Sequence, residues 1–152
     1  MNQKSIAAEA QSTQRKPNDI SSEIIGAAFE VHTQLGPGLL ESAYEKALAH
    51  ELSLRGLTVQ TQVEVPLIYK GHNLGIGFRL DMLVENIIIV ELKSIEKIQP
   101  VHLAQLLTYL KLRHLELGLL LNFNLTTMRE GIKRVVNNFH NSAPSAPLRQ
   151  GT

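Results

Sequence analysis

Two acidic residues and a lysine stand at the ends of apolar segments that are typical of β-strands. The segment NIIIVELKS closes with Glu91 and Lys93, and Asp81 lies in the apolar segment before it. Because side chains alternate along a strand, Glu91 and Lys93 should point to one side of a sheet and Leu92 to the other. A short turn at Glu85-Asn86 would place the two segments side by side. The pattern therefore predicts that Asp81 and Glu91 approach each other.

Two carboxylates at such a distance repel each other unless a shared proton or a cation compensates their charge. Mg²⁺ and Mn²⁺ are hard ions that accept sets of oxygen ligands, so Asp81 and Glu91 predict a divalent metal site. A lysine beside the ion can orient a water molecule and stabilise charge that develops on a phosphate. A lone Glu-x-Lys at a strand end is more often an exposed ion pair worth about 1 kcal/mol or less. The combination of Glu91 and Lys93 with Asp81 favours a catalytic site over an exposed ion pair.

Two motifs resemble those of a known family. Asp81 with Glu91-Leu-Lys93 resembles the signature of the PD-(D/E)XK nuclease superfamily, although Leu80 replaces its proline. Gly38-Leu-Leu-Glu41-Ser-Ala-Tyr44 resembles the motif that names the GxxExxY family within that superfamily. The resemblance covers residues 19–138 and implies an α/β fold. Its restriction-endonuclease-like core has the order α-β-β-β-α-β, with a mixed central sheet flanked by helices.

The resemblance also implies roles for individual residues. Asp81 and Glu91 would bind Mg²⁺ or Mn²⁺, together with the backbone carbonyl of Leu92 and the helical carboxylate of Glu41. Lys93 would be the catalytic lysine. The implied catalytic set is therefore Lys93, Glu41, Asp81 and Glu91.

A second group of residues would contact the substrate. Gln105 and Tyr109 resemble a Gln-x-x-x-Tyr element that follows the lysine in some of these nucleases, and their spacing puts both on one helical face. His102 belongs to the same stripe, near the predicted cleft. Tyr44 lies one turn from Glu41 and is a further candidate for substrate binding. The alternative for Tyr44 is a buried aromatic with a satisfied hydroxyl.

Hydrophobic periodicity predicts the elements that must position these residues. The predicted order is helix, helix, three antiparallel strands, helix, strand and helix. The predicted boundaries are a helix capped at Asn18 or Asp19 and ended by Gly36-Pro37-Gly38, a helix over 39–55, strands within 59–69, 74–84 and 87–91, a helix after Pro100, a strand over 117–123 and a last helix from Thr126 or Thr127 to Phe139.

The apolar residues of these elements indicate where they pack. In the second helix the residues at helical spacing are Leu40, Ala43, Ala47, Leu48 and Leu52. In the last helix the inward residues are Ile132, Val135 and Val136. The continuous run over 87–90 fits a strand covered on both faces, so helices should flank the sheet on both sides.

Length and composition limit the other options. A chain of 152 residues that is 43% hydrophobic and 19% charged can form one folded domain. We expect that domain over residues 18–140, between disordered tails at 1–17 and 141–152. Cysteine is absent, and no segment is typical of a leader or a bilayer span. A cytoplasmic protein without a membrane partner is expected.

The sequence thus predicts a metal-dependent nuclease that hydrolyses phosphodiester bonds in nucleic acid, with DNA expected over RNA. The alternative is a non-catalytic module on the same fold that binds nucleic acid or another protein. That alternative is motivated by a small chain with a net charge of +1 and only 5% aromatic residues. A homodimer is a further partner that the sequence allows.

Overall fold

The computed structural model describes residues 16–138, which form a five-stranded sheet with helices on both faces. The elements in chain order are α1 (Pro17–Leu35), α2 (Glu41–Leu54), β1 (Val59–Tyr69), β2 (His72–Val84), β3 (Ile88–Lys93), α3 (Pro100–Arg113), β4 (Leu117–Asn122), a 3₁₀ turn (Met128–Gly131) and β5 (Ile132–Val136). The strand order is β1-β2-β3-β4-β5. Strands β3 and β4 run parallel, and the other neighbours run antiparallel. The predicted α/β fold with a mixed sheet and an α-β-β-β-α-β core is confirmed.

The helices cover both faces of the sheet, as the apolar strand β3 predicts. Ile88 and Val90 pack in a core formed with α1 and α2, while Ile89 packs in a second core formed with α3. All three side chains are fully buried. The run of consecutive apolar residues is therefore required because both faces of β3 are covered.

Helix α1 begins earlier than the sequence predicts. Its N-cap is Lys16 and its first residue is Pro17, so the predicted cap at Asn18 or Asp19 is wrong. Proline suits the first helical position because its φ is already helical and its missing N–H would lack a helical partner there. The carbonyl of Asn18 instead accepts hydrogen bonds from the hydroxyls of Ser21 and Ser22.

Helix α2 begins at Glu41, and this start changes its inward face. Leu40 is the N-cap with an extended backbone and is 78% exposed, so its predicted place on the inward face is wrong. The buried residues of α2 are Tyr44, Leu48 and Leu52. The predicted stop of α1 is confirmed, because α1 ends at Leu35 and Gly36 has φ +72°.

The predicted last helix is wrong. The chain instead forms a 3₁₀ turn at Met128–Gly131 and then β5, which pairs antiparallel with β4. The apolar residues of Ile132–Val136 fit either a helix or a strand, and its β-branched residues suit a strand. The free edge of β4 supplies backbone partners, so tertiary pairing overrides the helical spacing.

A buried asparagine joins the loops that follow β3 and β4. The side chain of Asn122 is fully buried, and its Oδ1 accepts hydrogen bonds from the N–H groups of Ile95 (3.1 Å) and Asn124 (3.2 Å). Its Nδ2 donates to the carbonyl of Ile95 (2.9 Å). Gly131 packs so closely that an added Cβ would overlap the carbonyl oxygen of Asn122. The loop after Lys93 is therefore fixed to the end of β4.

Residues 1–15 and 139–152 lie outside the described part of the chain, as do the predicted tail at 141–152 and nearly all of the one at 1–17. The predicted N-terminal tail includes Pro17, which the structure places in α1. Within residues 16–138, no helix is long and apolar enough to cross a membrane.

Replacement Asn122→Ala should lower the free energy of unfolding by about 2–3 kcal/mol, because it leaves buried backbone groups without partners. Asn73→Ala is a matched control, since Asn73 is exposed and its side chain accepts one hydrogen bond, from the N–H of Gly75. The control should lose less than about 1 kcal/mol. Urea unfolding followed by circular dichroism measures both, and equal losses would contradict this role for Asn122.

Candidate active site

Strands β2 and β3 separate where the predicted site residues lie. The strands pair at Val84 with Ile88, Leu83 with Ile89, and Met82 with Val90. The same register would next place Asp81 opposite Glu91, but the ladder ends before that pair. Strand β3 continues beside β4 as far as Lys93, while β2 continues beside β1. The pairing of β2 with β3 therefore stops between Asp81 and Glu91, and we call this point of the sheet the cleft.

The two carboxylates accept hydrogen bonds from backbone N–H groups that the ladder leaves without a partner. Oε2 of Glu91 accepts from the backbone N–H of Asp81 (3.0 Å), and Oδ2 of Asp81 accepts from the backbone N–H of Leu92 (2.9 Å). Each carboxylate is thus held by the backbone of the opposite strand. The predicted approach of Asp81 and Glu91 is what the structure shows.

The backbone of Leu92 faces the same cleft. The backbone carbonyl of Lys93 accepts a hydrogen bond from the N–H of Phe123. The polar backbone groups of Lys93 therefore face β4. Consecutive residues of a strand bond to opposite sides, so the polar backbone groups of Leu92 face β2. Its N–H meets Asp81 there, and its carbonyl points to the same edge. This orientation fits the implied role of the Leu92 carbonyl as a metal ligand.

Glu91 is in an environment that disfavours its negative charge. The residue is 7% exposed, and burial raises the pKa of its carboxyl to about 8, with the charge of Asp81 contributing further. The hydrogen bond from the Asp81 N–H and the positive charge of Lys93 act in the opposite direction. Burial and the neighbouring charge of Asp81 therefore favour the protonated form of Glu91.

Lys93 lies at the mouth of the cleft, two residues after Glu91 on the same strand. Its side chain is half-buried, and none of the ion pairs among residues 16–138 involves it. Ser94 follows, and its hydroxyl donates to the carbonyl of Leu39 in the loop before α2. The ammonium group of Lys93 is thus next to the carboxylates without being neutralised by a direct ion pair.

The GxxExxY-like segment builds the start of α2. The Tyr44 hydroxyl donates to the carbonyl of Gly36 and accepts from the N–H of Leu39 (3.1 Å). Its ring stacks on Phe123, with the centroids 4.6 Å apart. Tyr44 is fully buried, which fits the packing alternative, and its contact with substrate stays a prediction. These contacts hold the loop from which Glu41 begins α2.

Glu41 lies on the exposed first turn of α2. Within residues 16–138, no three His, Asp or Glu side chains come close enough together to hold a metal ion. Glu41 therefore does not join Asp81 and Glu91 in such a cluster. Its role as a metal ligand or catalytic residue remains a prediction.

Glu45 is a residue near the site that the sequence patterns did not single out. Burial raises the pKa of its carboxyl, a hydrogen bond from Gln62 lowers it, and the charges of Asp81 and then Glu41 raise it again. The Nε2 of Gln62 donates to Oε1 of Glu45 over 2.8 Å. The available signal was helical spacing, because Glu45 lies one turn after Glu41 on the same face.

Helix α3 presents Tyr109 to the carboxylate pair. Tyr109 is 8% exposed and stacks on Phe78, with the centroids 4.5 Å apart. Burial raises the pKa of its hydroxyl, and the negative charges of Glu91 and then Asp81 raise it further. Gln105 is exposed one turn earlier.

His102 has a structural partner at the start of α3. Its Nδ1 accepts from the backbone N–H of Gln99 (2.9 Å), which completes a capping box at the helix N-terminus. This contact orients the His102 ring. Substrate contacts of His102, Gln105 and Tyr109 remain predictions.

The family comparison agrees with the split sheet and its carboxylates. A family model described as the PD-(D/E)XK nuclease superfamily matches residues 18–135. The chain belongs to the PD-(D/E)XK nuclease superfamily. No curated protein and no solved structure matches it. The broader resemblance seen in the sequence is thereby confirmed, while the likeness to the GxxExxY family remains a resemblance.

The donors at the cleft fit the metals of this superfamily, whose nucleases generally use divalent ions such as Mg²⁺. Asp81 and Glu91 offer carboxylate oxygens, and Leu92 has a carbonyl oriented to the same edge. Hard divalent cations prefer such oxygens. The raised pKa of Glu91 shows that two negative charges are unfavourable here without a cation.

Replacement Glu91→Gln should remove a pH dependence from the stability of the metal-free protein. The Glu91 carboxyl has its usual pKa of 4.5 when unfolded and about 8 when folded. Between these values the folded state binds a proton that the unfolded state has lost, so wild-type stability falls as pH rises. The amide of the variant does not titrate, so its stability should fall less steeply, and its advantage over the wild type should grow from about pH 4.5 and be complete above about pH 8.

Urea unfolding in EDTA at several pH values across this window measures the difference. Glu96→Gln is the control, because Glu96 is an exposed carboxylate in the loop after β3. The control should keep the wild-type slope. Parallel stability curves for wild type and Glu91→Gln would contradict the raised pKa.

Proposed function

We propose that the protein is a metal-dependent phosphodiesterase that hydrolyses nucleic acid, with DNA as the expected substrate. Membership of the PD-(D/E)XK superfamily indicates nuclease activity at the family level. The observation that carries the proposal for this chain is the split between β2 and β3, which gathers Asp81, Glu91 and Lys93 at one cleft. Acidic oxygens and an ammonium group are the donors that phosphodiester hydrolysis requires.

Each residue of the cleft has a separate task in this proposal. Asp81, Glu91 and the Leu92 carbonyl hold the divalent ion, which when bound supplies a Lewis acid and lowers the pKa of water. Glu91 must lose its proton before it can act as a ligand. Lys93 orients the attacking water and stabilises negative charge on the phosphate with its ammonium group. Glu41 contributes a further carboxylate from α2.

Helix α3 provides the proposed substrate contacts. Gln105 is exposed and can donate its amide to a phosphate or a base edge. Tyr109 is packed against Phe78 and therefore acts from a fixed position beside the carboxylates. A cytoplasmic location and a homodimer remain predictions.

Purified wild-type protein should cut labelled nucleic acid with Mg²⁺ or Mn²⁺ and not with EDTA. The substrates are single-stranded and double-stranded DNA and RNA of one sequence, so the assay also identifies the substrate class. Asp81→Asn and Lys93→Ala should each reduce the rate by about 100-fold or more, because each removes a group that stabilises the transition state.

Lys97→Ala is the matched control, since Lys97 is an exposed lysine in the loop after β3. It should retain the wild-type rate within about threefold, as expected for an exposed surface residue. Circular dichroism establishes that each variant is folded. Cleavage that survives both Asp81→Asn and Lys93→Ala would overturn the assignment.

The second candidate function is a non-catalytic module that binds nucleic acid or protein. It is favoured by the absence, within residues 16–138, of a three-residue metal cluster. The net charge of +1 is also low for a surface that binds phosphates. Metal binding separates the two candidates.

Adding Mn²⁺ should raise the melting temperature of the wild-type protein, because a ligand that binds only the folded state stabilises it. Asp81→Asn should show a much smaller shift. Differential scanning calorimetry over a Mn²⁺ series measures this, with Ca²⁺ and Mg²⁺ as comparison ions. A wild-type melting temperature that does not respond to any of the three ions would favour the non-catalytic module.

A further inference from the structure

In both strands of the β1–β2 hairpin, the side chains that face one core change to the other core near the active site. In β2, Met82 packs in the core under α1 and α2, whereas Leu80 packs in the core under α3. Residues two apart in a regular strand share one face. In β1, Val59 packs toward the first core and Val63 toward the second, although residues four apart should also share a face. The face of the hairpin that meets each core is therefore reversed between these positions.

Gln62 and Asp81 lie at the point of this reversal. Thr61 pairs with Met82 and Val63 pairs with Leu80, so the register places Gln62 opposite Asp81. Gln62 has a left-handed backbone with φ +54°, which is uncommon for a residue other than glycine. A left-handed residue rotates the side chains that follow it, and here it does so without an inserted residue, since the register is the same on both sides of Gln62. The conformation of Gln62 thus explains the reversal.

The position of Gln62 differs from that of other residues with positive φ. The other non-glycine examples among residues 16–138 lie in hairpin turns or at a helix C-cap, where such values are common: Lys70, Glu85, Asn86 and His114. Gln62 lies inside β1. Asparagine or glycine would adopt this conformation more easily than glutamine. The presence of glutamine at this position therefore indicates that its longer side chain makes a specific contact.

The contact made by Gln62 supplies that explanation. Its Nε2 donates to Oε1 of Glu45 over 2.8 Å, and thereby joins β1 to α2. The carboxyl of Glu45 is half-buried, and the charges of Asp81 and Glu41 both act on it. The Gln62 amide therefore holds Glu45 on the α2 side of Asp81. Oε2 of Glu45 accepts no hydrogen bond among the described residues.

We propose that Glu45 is an additional carboxylate of the nuclease site and that Gln62 is the residue that positions it. The inference rests on the proposed function. Glu45 binds the hydrated divalent cation held by Asp81 and Glu91, through a water molecule of its hydration shell. The geometry behind this assignment is the hydrogen bond from Gln62 to Glu45 and the place of Gln62 opposite Asp81 in the hairpin.

Separate variants test the carboxylate and the residue that holds it. Glu45→Gln removes the charge and keeps the size of the side chain. Gln62→Gly removes the amide while permitting the left-handed backbone, so the hairpin reversal is retained. Gln62→Asn also tolerates this backbone but has a shorter amide. Glu30→Gln is the matched control, because Glu30 also accepts from a glutamine, Gln34, over 3.1 Å on the exposed surface of α1.

The primary readout is the Kd for Mn²⁺ by isothermal titration calorimetry on the full chain, without substrate. Glu45→Gln should weaken binding by about tenfold, as expected for an outer-shell carboxylate. Gln62→Gly should weaken it by a smaller factor while the melting temperature without metal stays equal or rises. The double variant should lose less than the product of the single effects, because both changes act through one hydrogen bond. Glu30→Gln should bind as the wild type does.

The Gln62→Asn variant tests positioning by the amide itself. Its side chain is too short to hold Glu45 in the same place, so its Mn²⁺ affinity should resemble that of Gln62→Gly. Wild-type affinity in Glu45→Gln would overturn the inference. Independent, multiplicative effects of Glu45 and Gln62 would overturn the positioning role.

Asp81→Asn distinguishes this failure from failure of the proposed function. If Asp81→Asn abolishes Mn²⁺ binding and Glu45→Gln leaves it unchanged, the metal site stands and only the role of Glu45 is lost. If Asp81→Asn also binds as the wild type does, the metal site and the inference both fall.

Discussion

The structure depends on an exchange of hydrogen bonds where the β2–β3 ladder stops. Asp81 and Glu91 would be the next cross-strand pair, and each carboxylate instead accepts from the backbone of the opposite strand. The side chains thus replace ladder bonds while the strands part. This replacement keeps the backbone groups satisfied and opens a cleft lined by oxygen atoms. The proposed metal ligands and Lys93 lie at that opening.

The same arrangement makes the metal-free protein less stable than an apolar sheet would be. Glu91 is buried beside a second carboxylate, which is unfavourable for its charged form. A sheet covered on both faces by apolar cores can tolerate such a local cost. Binding of a divalent cation or of a proton relieves the repulsion. Function and stability therefore oppose each other at one pair of residues.

Residues away from the cleft keep its walls in place through contacts between distant segments. Tyr44 closes the loop before α2 by hydrogen bonds to its backbone, and Ser94 bonds the end of β3 to the same loop. Asn122 fixes the loop that follows β3 to the end of β4. These contacts hold α2, β3 and β4 in one frame around Lys93. The role proposed for Lys93 requires such a frame, because a long side chain must be held at a defined position to act.

The sequence by itself determined the local features of the site. Strand alternation and the Glu85-Asn86 turn were sufficient to predict that Asp81 approaches Glu91, because both depend on neighbours in the chain. Only the tertiary structure decided that Ile132–Val136 is a strand, that Tyr44 is buried and that the hairpin reverses at Gln62. The strand at Ile132–Val136 depends on the open edge of β4, and the burial of Tyr44 depends on Phe123. The reversal of the hairpin depends on the different cores that cover the two faces of the sheet. Each is set by contacts between segments far apart in the chain, which neither hydrophobic spacing nor local propensity contains.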